Sequence, residues 1–143
     1  MSNVELSPVQ INEINLQSVH FELGTGIPSN ESEALNYELN FEVGVGFRED
    51  NRDKALVKVM VSVDWEAETP PFELSVSYLG FVSQDGSFEQ EDFEKICRSR
   101  ITMIILGQLR PFVSRLMSEA KEDFRLPLLD LRKLTEKSDQ QDS

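Results

Sequence analysis

Side chains that commonly perform catalysis are scarce in this chain of 143 residues. His20 is its only histidine, and it stands between Val19 and Phe21 in a strand-like stretch. A surface position is therefore expected for it rather than the role of a general base. Cys97 is the only cysteine, it has no histidine near it in sequence, and it belongs to an apolar stripe. Neither a disulfide within the chain nor an activated thiol is expected.

Ligand-binding motifs are equally weak. A zinc site takes about four ligands, usually Cys and His, which this chain cannot supply. The pairs Gly24-Thr25-Gly26 and Gly44-Val45-Gly46 lack the full phosphate-binding spacing and the helix start that follows it. Asp50 and Asp53 fit a turn better than a metal site. We therefore expect no enzyme activity, no metal and no cofactor, so that function depends on surfaces.

The charge balance limits the partners. Asp and Glu number 26 against 14 Lys and Arg, which gives a formal net charge of −12. Because binding to a phosphate backbone relies on clustered Lys and Arg, nucleic acid and anionic membranes are not expected as partners. An acidic surface attracts basic partners, although solubility alone would also account for it.

Membrane and secretory signals are also missing from the pattern. No apolar run approaches the ~20 residues of a membrane span. Residues 1–10 have neither the basic nor the apolar region of a secretory signal. These features favour a cytoplasmic protein without direct membrane insertion.

Four strands are the first elements that the pattern predicts. Val9 to Leu23 is strand-like but shifts phase, as in a bulged or edge strand. Leu35 to Phe47, Val57 to Glu66 and Phe72 to Tyr78 alternate apolar and polar residues, which predicts one buried and one wet face for each strand. Short connections predict an antiparallel meander, and Gly80 marks an expected bend or bulge. The wet face should be acidic, because it carries Glu38, Asn40, Glu42, Asp64, Glu66, Glu73 and Ser75.

A long helix is predicted over Phe93 to Ala120, opened by Ser87-Phe88-Glu89-Gln90 at the spacing of a capping box. Its apolar residues form two stripes, displaced by roughly a third of a turn or more, and the four residues from Met103 to Leu106 leave no polar side. Apolar residues all round imply burial from two directions, with a second copy as the second cover. Two consecutive helices, each with an ordinary stripe, are the alternative. Pro111 is expected to kink the helix, since it cannot donate to the carbonyl of Gly107.

Together these elements predict an α+β domain with a four-stranded antiparallel sheet and a long, kinked C-terminal helix packed on one face. We expect a flexible N-terminus over residues 1–8, the domain over 9–134 and a disordered polar tail over 135–143. Large aromatic residues gather near the strand ends, the link and the helix start. They are either core or the lining of a groove that captures apolar peptide segments. The candidate groove residues are Trp65, Phe72, Tyr78, Phe81, Phe88, Phe93, Phe124 and Leu126.

Three segments resemble the SecB family of protein-export chaperones. Phe72 to Val82 is similar to the family's fourth strand, and Leu109 to Arg115 resembles its Leu-Phe-Pro-Tyr-Ala-Arg helix segment at the leucine and proline. Leu126 to Leu131 resembles its Phe-Pro-x-Leu-x-Leu segment. The likeness covers roughly Val9 to Leu134, and the order of elements supports it more strongly than any single motif.

The resemblance implies an ATP-independent holdase that keeps unfolded or precursor polypeptides competent for export or folding. It also implies a homotetramer, built as a dimer of dimers with helices sandwiched between outer sheets. Subunit contacts are implied at Leu74, Val76, Tyr78, Ile101, Ile104, Ile105 and Gln108.

Acidic positions on the family's sheet dock the translocation motor ATPase, and the resemblance implies such a contact at Glu22 and Glu73. Glu22 matches a family position, whereas Glu73 stands where an apolar residue is usual. Two other acidic positions of the family fall on Ser75 and near Ser18. The alternatives are a dedicated chaperone for the antitoxin of a toxin–antitoxin system, and a scaffold that binds one folded partner through the acidic sheet.

Overall fold

A computed structural model describes residues 8–24, 36–66 and 69–120. Four strands form one antiparallel sheet in the order β1-β4-β3-β2. Their bounds are β1 Val9–Leu23, β2 Tyr37–Phe47, β3 Lys54–Trp65 and β4 Phe72–Gln84. One C-terminal helix then packs on a single face, which confirms the predicted α+β fold. Its parts are α1 Gln90–Ile96, a π-turn Cys97–Ile101 and α2 Thr102–Glu119.

The strand order corrects the predicted meander at one position. β2, β3 and β4 follow one another as neighbours, but β1 pairs with β4 and not with β2. Because the segment between Leu23 and Tyr37 is much longer than a hairpin loop of about two to five residues, consecutive strands need not pair. β1 lies at one edge of the sheet, with register shifts between Ile11 and Glu13 and between Leu16 and Ser18. These shifts confirm the bulged edge strand that the broken alternation predicted.

The core lies between the helix and the inner face of the sheet. All inward residues of β3 and β4 from Ala55 to Val63 and from Phe72 to Val82 are buried. The helix buries a residue at every fourth position against them: Phe93, Cys97, Ile101, Ile105, Leu109, Val113 and Met117. On the outer face Glu38, Glu42, Asp64, Glu66 and Glu73 are exposed, which confirms a wet, acidic side of the sheet.

Gly80 marks a close contact and not a bend. β4 continues to Gln84, and Gly80 pairs with Val57 of β3 without a register shift. The glycine occupies an inward position, where an added Cβ would lie 2.8 Å from Ile105 Cδ1. The absence of a side chain at Gly80 therefore lets the helix approach the sheet closely. Phe81, the next residue, points outward, so inward and outward residues continue to alternate through Gly80.

The helix start also differs from its prediction. Glu89 is the N-cap and makes no side-chain capping bond. Ser87 instead donates its hydroxyl to Asp85 Oδ1 and also its backbone N–H at 3.0 Å, and these two bonds, the hydroxyl first, lower the pKa of this carboxyl. Gln84 accepts from Phe88 N at 2.9 Å and donates to Phe88 O at 3.1 Å, so its amide fixes the chain entering α1.

The π-turn replaces the two predicted stripes by one buried line. Thr102 donates its hydroxyl to Cys97 O at 2.8 Å across the wider turn, five residues back. A π-turn inserts an extra residue, which changes the phase of every position after it. Ile104 therefore points away from the core, whereas Ile105 is buried. Pro111 lies within α2 and does not end it.

Candidate polypeptide-binding surface

The inner face of the sheet is wider than the helix that covers it. Four strands spaced by about 4.8 Å present a broader surface than one helix of about 10–12 Å diameter. The helix begins near β2, where the rings of Phe47 and Phe93 have centroids 5.8 Å apart, and crosses to β4, where Tyr78 and Phe112 are 6.2 Å apart. On this inner face the residues of the two central strands are buried, whereas the two edge strands keep apolar side chains in contact with water.

The first open region is the β1 margin, which consists of Leu16, Val19 and Leu23. These side chains are 44%, 40% and 46% exposed. They belong to the inner face, because β1 pairs them with the inward residues Tyr78, Val76 and Phe72 of β4. Together they form an apolar strip beside the core that the described residues leave uncovered.

The second open region is the β2 margin, formed by the inward residues of β2: Tyr37, Leu39, Phe41, Val43, Val45 and Phe47. Tyr37 is exposed and the other five are half-buried. At the first residue of β2, Tyr37 contacts Trp65, with ring centroids 5.2 Å apart. Trp65 in turn packs edge-on against Phe72, with centroids 5.2 Å apart. The margin is thus an apolar surface that adjoins an aromatic cluster of Tyr37, Trp65 and Phe72.

The third open region is the helix patch, on the side of α2 away from the sheet. Met103 is 60% exposed and Ile104 is 49% exposed, with exposed Gly107 and Gln108 in the next turn. Large apolar side chains at this exposure on a helix are typical of contact with another chain.

The outer face carries an acidic row at the opposite side of the sheet. Glu22 of β1 pairs with Glu73 of β4, and Asp64 of β3 pairs with Glu38 of β2. His20 Nε2 lies 3.1 Å from Glu73 Oε2, and one ligand atom from each of His20, Glu22 and Glu73 lies within 4.8 Å of the others. All three residues are exposed, and three exposed ligands fall short of the closed, four-ligand geometry of a structural zinc site. His20 is a surface residue, as its strand position predicted.

Cys97 is fully buried against the sheet. Burial, with a smaller contribution from the Glu94 carboxylate, raises the pKa of its thiol to about 11. The position confirms that Cys97 belongs to the buried apolar stripe, and because the thiolate is the nucleophile, a raised pKa disfavours its reaction near neutral pH.

Comparison with known proteins gives a structural match only. No protein-family model matches the chain, and no curated protein sequence matches it either. Among solved structures it is similar to Mycobacterium tuberculosis Rv1957, a SecB-like chaperone in complex with a ChAD peptide from the Rv1956 HigA1 antitoxin. The TM-score is 0.66 at 16% sequence identity, over 85% of this chain and 91% of that one. The fold is SecB-like.

A protein of unknown function from Streptococcus agalactiae also aligns, over 85% of this chain and 97% of that one. Its TM-score of 0.41 at 11% identity adds nothing to the assignment. The match confirms the SecB-like α+β fold of one chain, and of the three resembling segments the last, Leu126 to Leu131, lies outside the described residues. No helix among the described residues is long and apolar enough to cross a bilayer.

The SecB-like fold does not gather the six described groove candidates into one open surface, although Trp65 and Phe72 contact each other. Phe72, Tyr78 and Phe93 are buried in the core, so their assignment to an open groove is corrected. Trp65 and Phe88 are half-buried. Phe81 is exposed, but it lies on the outer face, opposite Leu56 of β3. The remaining two candidates, Phe124 and Leu126, lie outside the described residues, as does the proposed tail.

Most of the implied subunit contacts are also core residues in the SecB-like fold. Five of them are buried between sheet and helix within one chain, with at most 8% of any one residue exposed: Leu74, Val76, Tyr78, Ile101 and Ile105. Ile104 and Gln108 are exposed on the helix patch. The sequence pattern does not single out Leu16, Val19 and Leu23, although it predicts a bulged or edge strand for the segment that contains them.

Proposed function

We propose that this protein is an ATP-independent holdase chaperone that binds unfolded or precursor polypeptides in the cytoplasm and keeps them competent for export or folding. The observation that carries the proposal is the excess width of the apolar sheet face. Leu16, Val19 and Leu23 lie beside the core yet remain open to water. Unfolded chains expose apolar side chains that gain free energy by covering such a surface, by about 25 cal/mol for each Å² removed from water. The SecB-like fold supports this function.

The same proposal includes a homotetramer, built as a dimer of dimers. Met103 and Ile104 place two large apolar side chains on the solvent side of α2, with Gln108 one turn further along. Contact between two helix patches removes these side chains from water without using the two sheet margins. Clients and sister copies then bind at different surfaces.

The acidic row provides a third surface, suited to a basic partner. Glu22 and Glu73 are exposed neighbours on adjacent strands, and Asp64 and Glu38 extend the row to the far edge. A row of like charges favours a positively charged segment. We assign the contact with a translocation motor ATPase to this row.

A dedicated antitoxin chaperone is the second candidate. The structure of Rv1957 contains a peptide from the HigA1 antitoxin, and by analogy we propose an antitoxin as the alternative client of this chain. The chemistry of capture is the same in both candidates, and the range of clients separates them. Capture of several unrelated proteins supports the general holdase, whereas capture of one antitoxin alone supports the dedicated chaperone.

The test is to dilute several unrelated, chemically denatured proteins into buffer without nucleotide and to follow aggregation by light scattering. Wild-type protein should suppress aggregation at a molar ratio of about one chaperone tetramer to one client molecule. A variant with Leu16→Ser and Val19→Ser should suppress it less, because both side chains are lost from the β1 margin.

Leu56→Ser is the matched control for this experiment. Leu56 is an exposed leucine on the outer face of β3, and the proposal predicts no effect of its loss on capture. Aggregation that proceeds unchanged for every client, or equal loss in the margin and control variants, would contradict the proposal.

A further inference from the structure

The outer face of the sheet carries apolar side chains at the end away from the acidic row. Leu56 of β3 and Phe81 of β4 are paired there, and they are 38% and 41% exposed. Leu79, two residues before Phe81 on the same face, is half-buried. A single exposed apolar residue needs no explanation, but adjacent ones on a wet face are typical of contact with another molecule.

Two lysines border these apolar side chains. Lys54 and Lys58 lie on the same face of β3 as Leu56, two residues before it and two after it. Both are exposed, and within the described part of the chain neither forms an ion pair. Glu13 of β1 is opposite Phe81, on the side away from the lysines. This basic and apolar surface, in a chain of net charge −12, is the lysine patch: Lys54, Leu56, Lys58, Leu79 and Phe81.

Two exposed glycines of β2 continue the lysine patch toward the edge of the sheet. Gly44 is paired with Lys58, and Gly46 is paired with Leu56. Glycine inside a strand usually marks a bulge, a sharp bend or a place where another chain approaches closely.

The first two reasons do not apply to these glycines. The register of β2 with β3 has no shift, and among the described glycines only Gly86 has a positive φ. A Cβ added at Gly44 or Gly46 would meet no atom within 4 Å among the described residues. Neither the backbone nor the packing of the described chain requires glycine here, so close approach by another molecule is the reason that remains.

Charge and shape together select the partner. Lys54 and Lys58 are four residues apart in an extended strand, which separates them by about 13 Å. Lysines favour carboxylates, and the leucine between them favours an apolar side chain. We propose that the lysine patch binds an acidic segment of a partner protein, in which two carboxylates at this spacing lie on either side of an apolar side chain. This contact goes beyond the proposed holdase function, because the margins proposed for clients lie on the other face.

A second copy and an anionic membrane fit the lysine patch less well. The outer face has more carboxylates than lysines, since Glu13, Glu42 and the acidic row share it, so two stacked outer faces would bring mainly like charges together. A bilayer resting on the patch would also face the acidic row, which begins about 26 Å farther along β3, at Asp64. A short acidic segment contacts the patch alone and avoids both conflicts.

The test is a titration of the full chain with the blocked peptide Thr-Glu-Thr-Phe-Thr-Glu-Thr, observed by NMR of leucine and valine methyl groups. In an extended chain its two glutamates and its phenylalanine share one face. We expect saturable shifts of the Leu56 and Leu79 methyl signals, with those of Leu16 and Val19 unchanged. A peptide with lysine in place of both glutamates should bind roughly fivefold more weakly or worse. Equal affinity for the two peptides, or shifts confined to the sheet margins, would overturn the inference.

Gly46→Val separates docking from folding. Valine suits a strand, and its Cβ has open space at this position, so the urea midpoint of unfolding should not fall. The side chain occupies the open floor of the patch, so the glutamate peptide should bind roughly tenfold more weakly. Asn40→Val places the same side chain on the same face of β2 outside the patch, and it should bind as the wild type does. Wild-type affinity in Gly46→Val would contradict close approach at the glycines.

Lys54→Glu with Lys58→Glu tests the charge and the identity of the partner. This variant should prefer the lysine peptide by roughly fivefold, the reverse of the wild-type preference. A change in its oligomeric mass would assign the patch to a second copy. Sedimentation of the wild type with phosphatidylserine vesicles, lost in this variant, would assign the patch to a membrane, and either result would reject the acidic segment. Failure to capture denatured clients would remove the holdase function and leave this inference standing.

Discussion

At the scale of single residues, Gly80 determines how closely the helix approaches the sheet. It has no side chain at the position where Ile105 Cδ1 meets the backbone of β4. Every neighbouring inward residue on this strand is larger and buried, so the helix crosses the sheet at this gap. The uncovered margins follow from where the helix crosses.

The Gly80–Ile105 contact predicts a specific coupling. Gly80→Ala should lower the free energy of unfolding by about 1–3 kcal/mol, because the new methyl group overpacks the contact with Ile105. Ile105→Val removes the contacting Cδ1 and alone should cost about 0.5–1.5 kcal/mol. In the double variant the loss should be smaller than the sum, as measured by urea denaturation. Strict additivity would show that the contact does not set the packing distance.

Cys97 predicts a pH dependence with a definite sign. The pKa of its thiol is about 11 in the folded chain, against an ordinary value of 9.0. The unfolded chain therefore loses its thiol proton at lower pH than the folded chain. The contribution to stability is complete below pH 9 and declines as the pH rises through about 11.

Chemical denaturation between these pH values measures the effect. Unfolding of the wild type should become easier as pH rises, and Cys97→Ala should show a shallower dependence. The native thiol should also resist alkylation at pH 8, whereas unfolded protein reacts readily. Rapid alkylation of the native protein would contradict the burial of this residue.

At the scale of elements, the sequence was informative wherever a local pattern decides the structure. Alternation predicted the strands, and the broken phase of Val9 to Leu23 predicted a bulged or edge strand, which the register shifts and the edge position of β1 confirm. Contacts distant in sequence were not visible in it. The pairing of β1 with β4 depends on the path of a long connection. At the helix start, the spacing of residues favoured a capping box, but the structure has hydrogen bonds from the Gln84 side chain to the backbone of Phe88 instead.

The site was predicted less well than the fold, because burial depends on what covers each residue. Phe72 and Phe93 lie at the strand end and helix start where a groove was expected, yet they are core residues. The π-turn changed which isoleucine faces water, and an ideal helical projection could not show this. The open margins could have been inferred by comparing the width of the sheet with that of one helix.

The helix patch predicts an effect on assembly. Met103→Glu with Ile104→Glu places two charges where we propose that sister copies meet, so the tetramer should dissociate to smaller species in size-exclusion chromatography with light scattering. Lys58→Glu is matched in charge change and lies on the outer face of β3, so it should leave the mass unchanged. A wild-type monomer, or a double variant of unchanged mass, would contradict this interface.

At the scale of the whole molecule, the two sheet margins, the helix patch and the acidic row lie in different places and suit different partners. The margins flank the helix on one face of the sheet, the helix patch lies above it, and the acidic row occupies the opposite face. An arrangement of this kind allows copies, clients and a basic partner to bind together. It also requires clients to be found on one face of the sheet only.

Site-specific photo-crosslinking tests this requirement most directly. A photoreactive side chain would be introduced at Val19 or Leu39 on the inner margins, and at Glu42 or Lys58 on the outer face, before addition of a denatured client. We predict strong crosslinks to the client from Val19 and Leu39, and weak ones from Lys58 in the interior of the outer face. Crosslinks from Glu42, beside the β2 edge, should fall between these limits. Crosslinking concentrated at Lys58, with none from either margin, would contradict capture by the uncovered inner face.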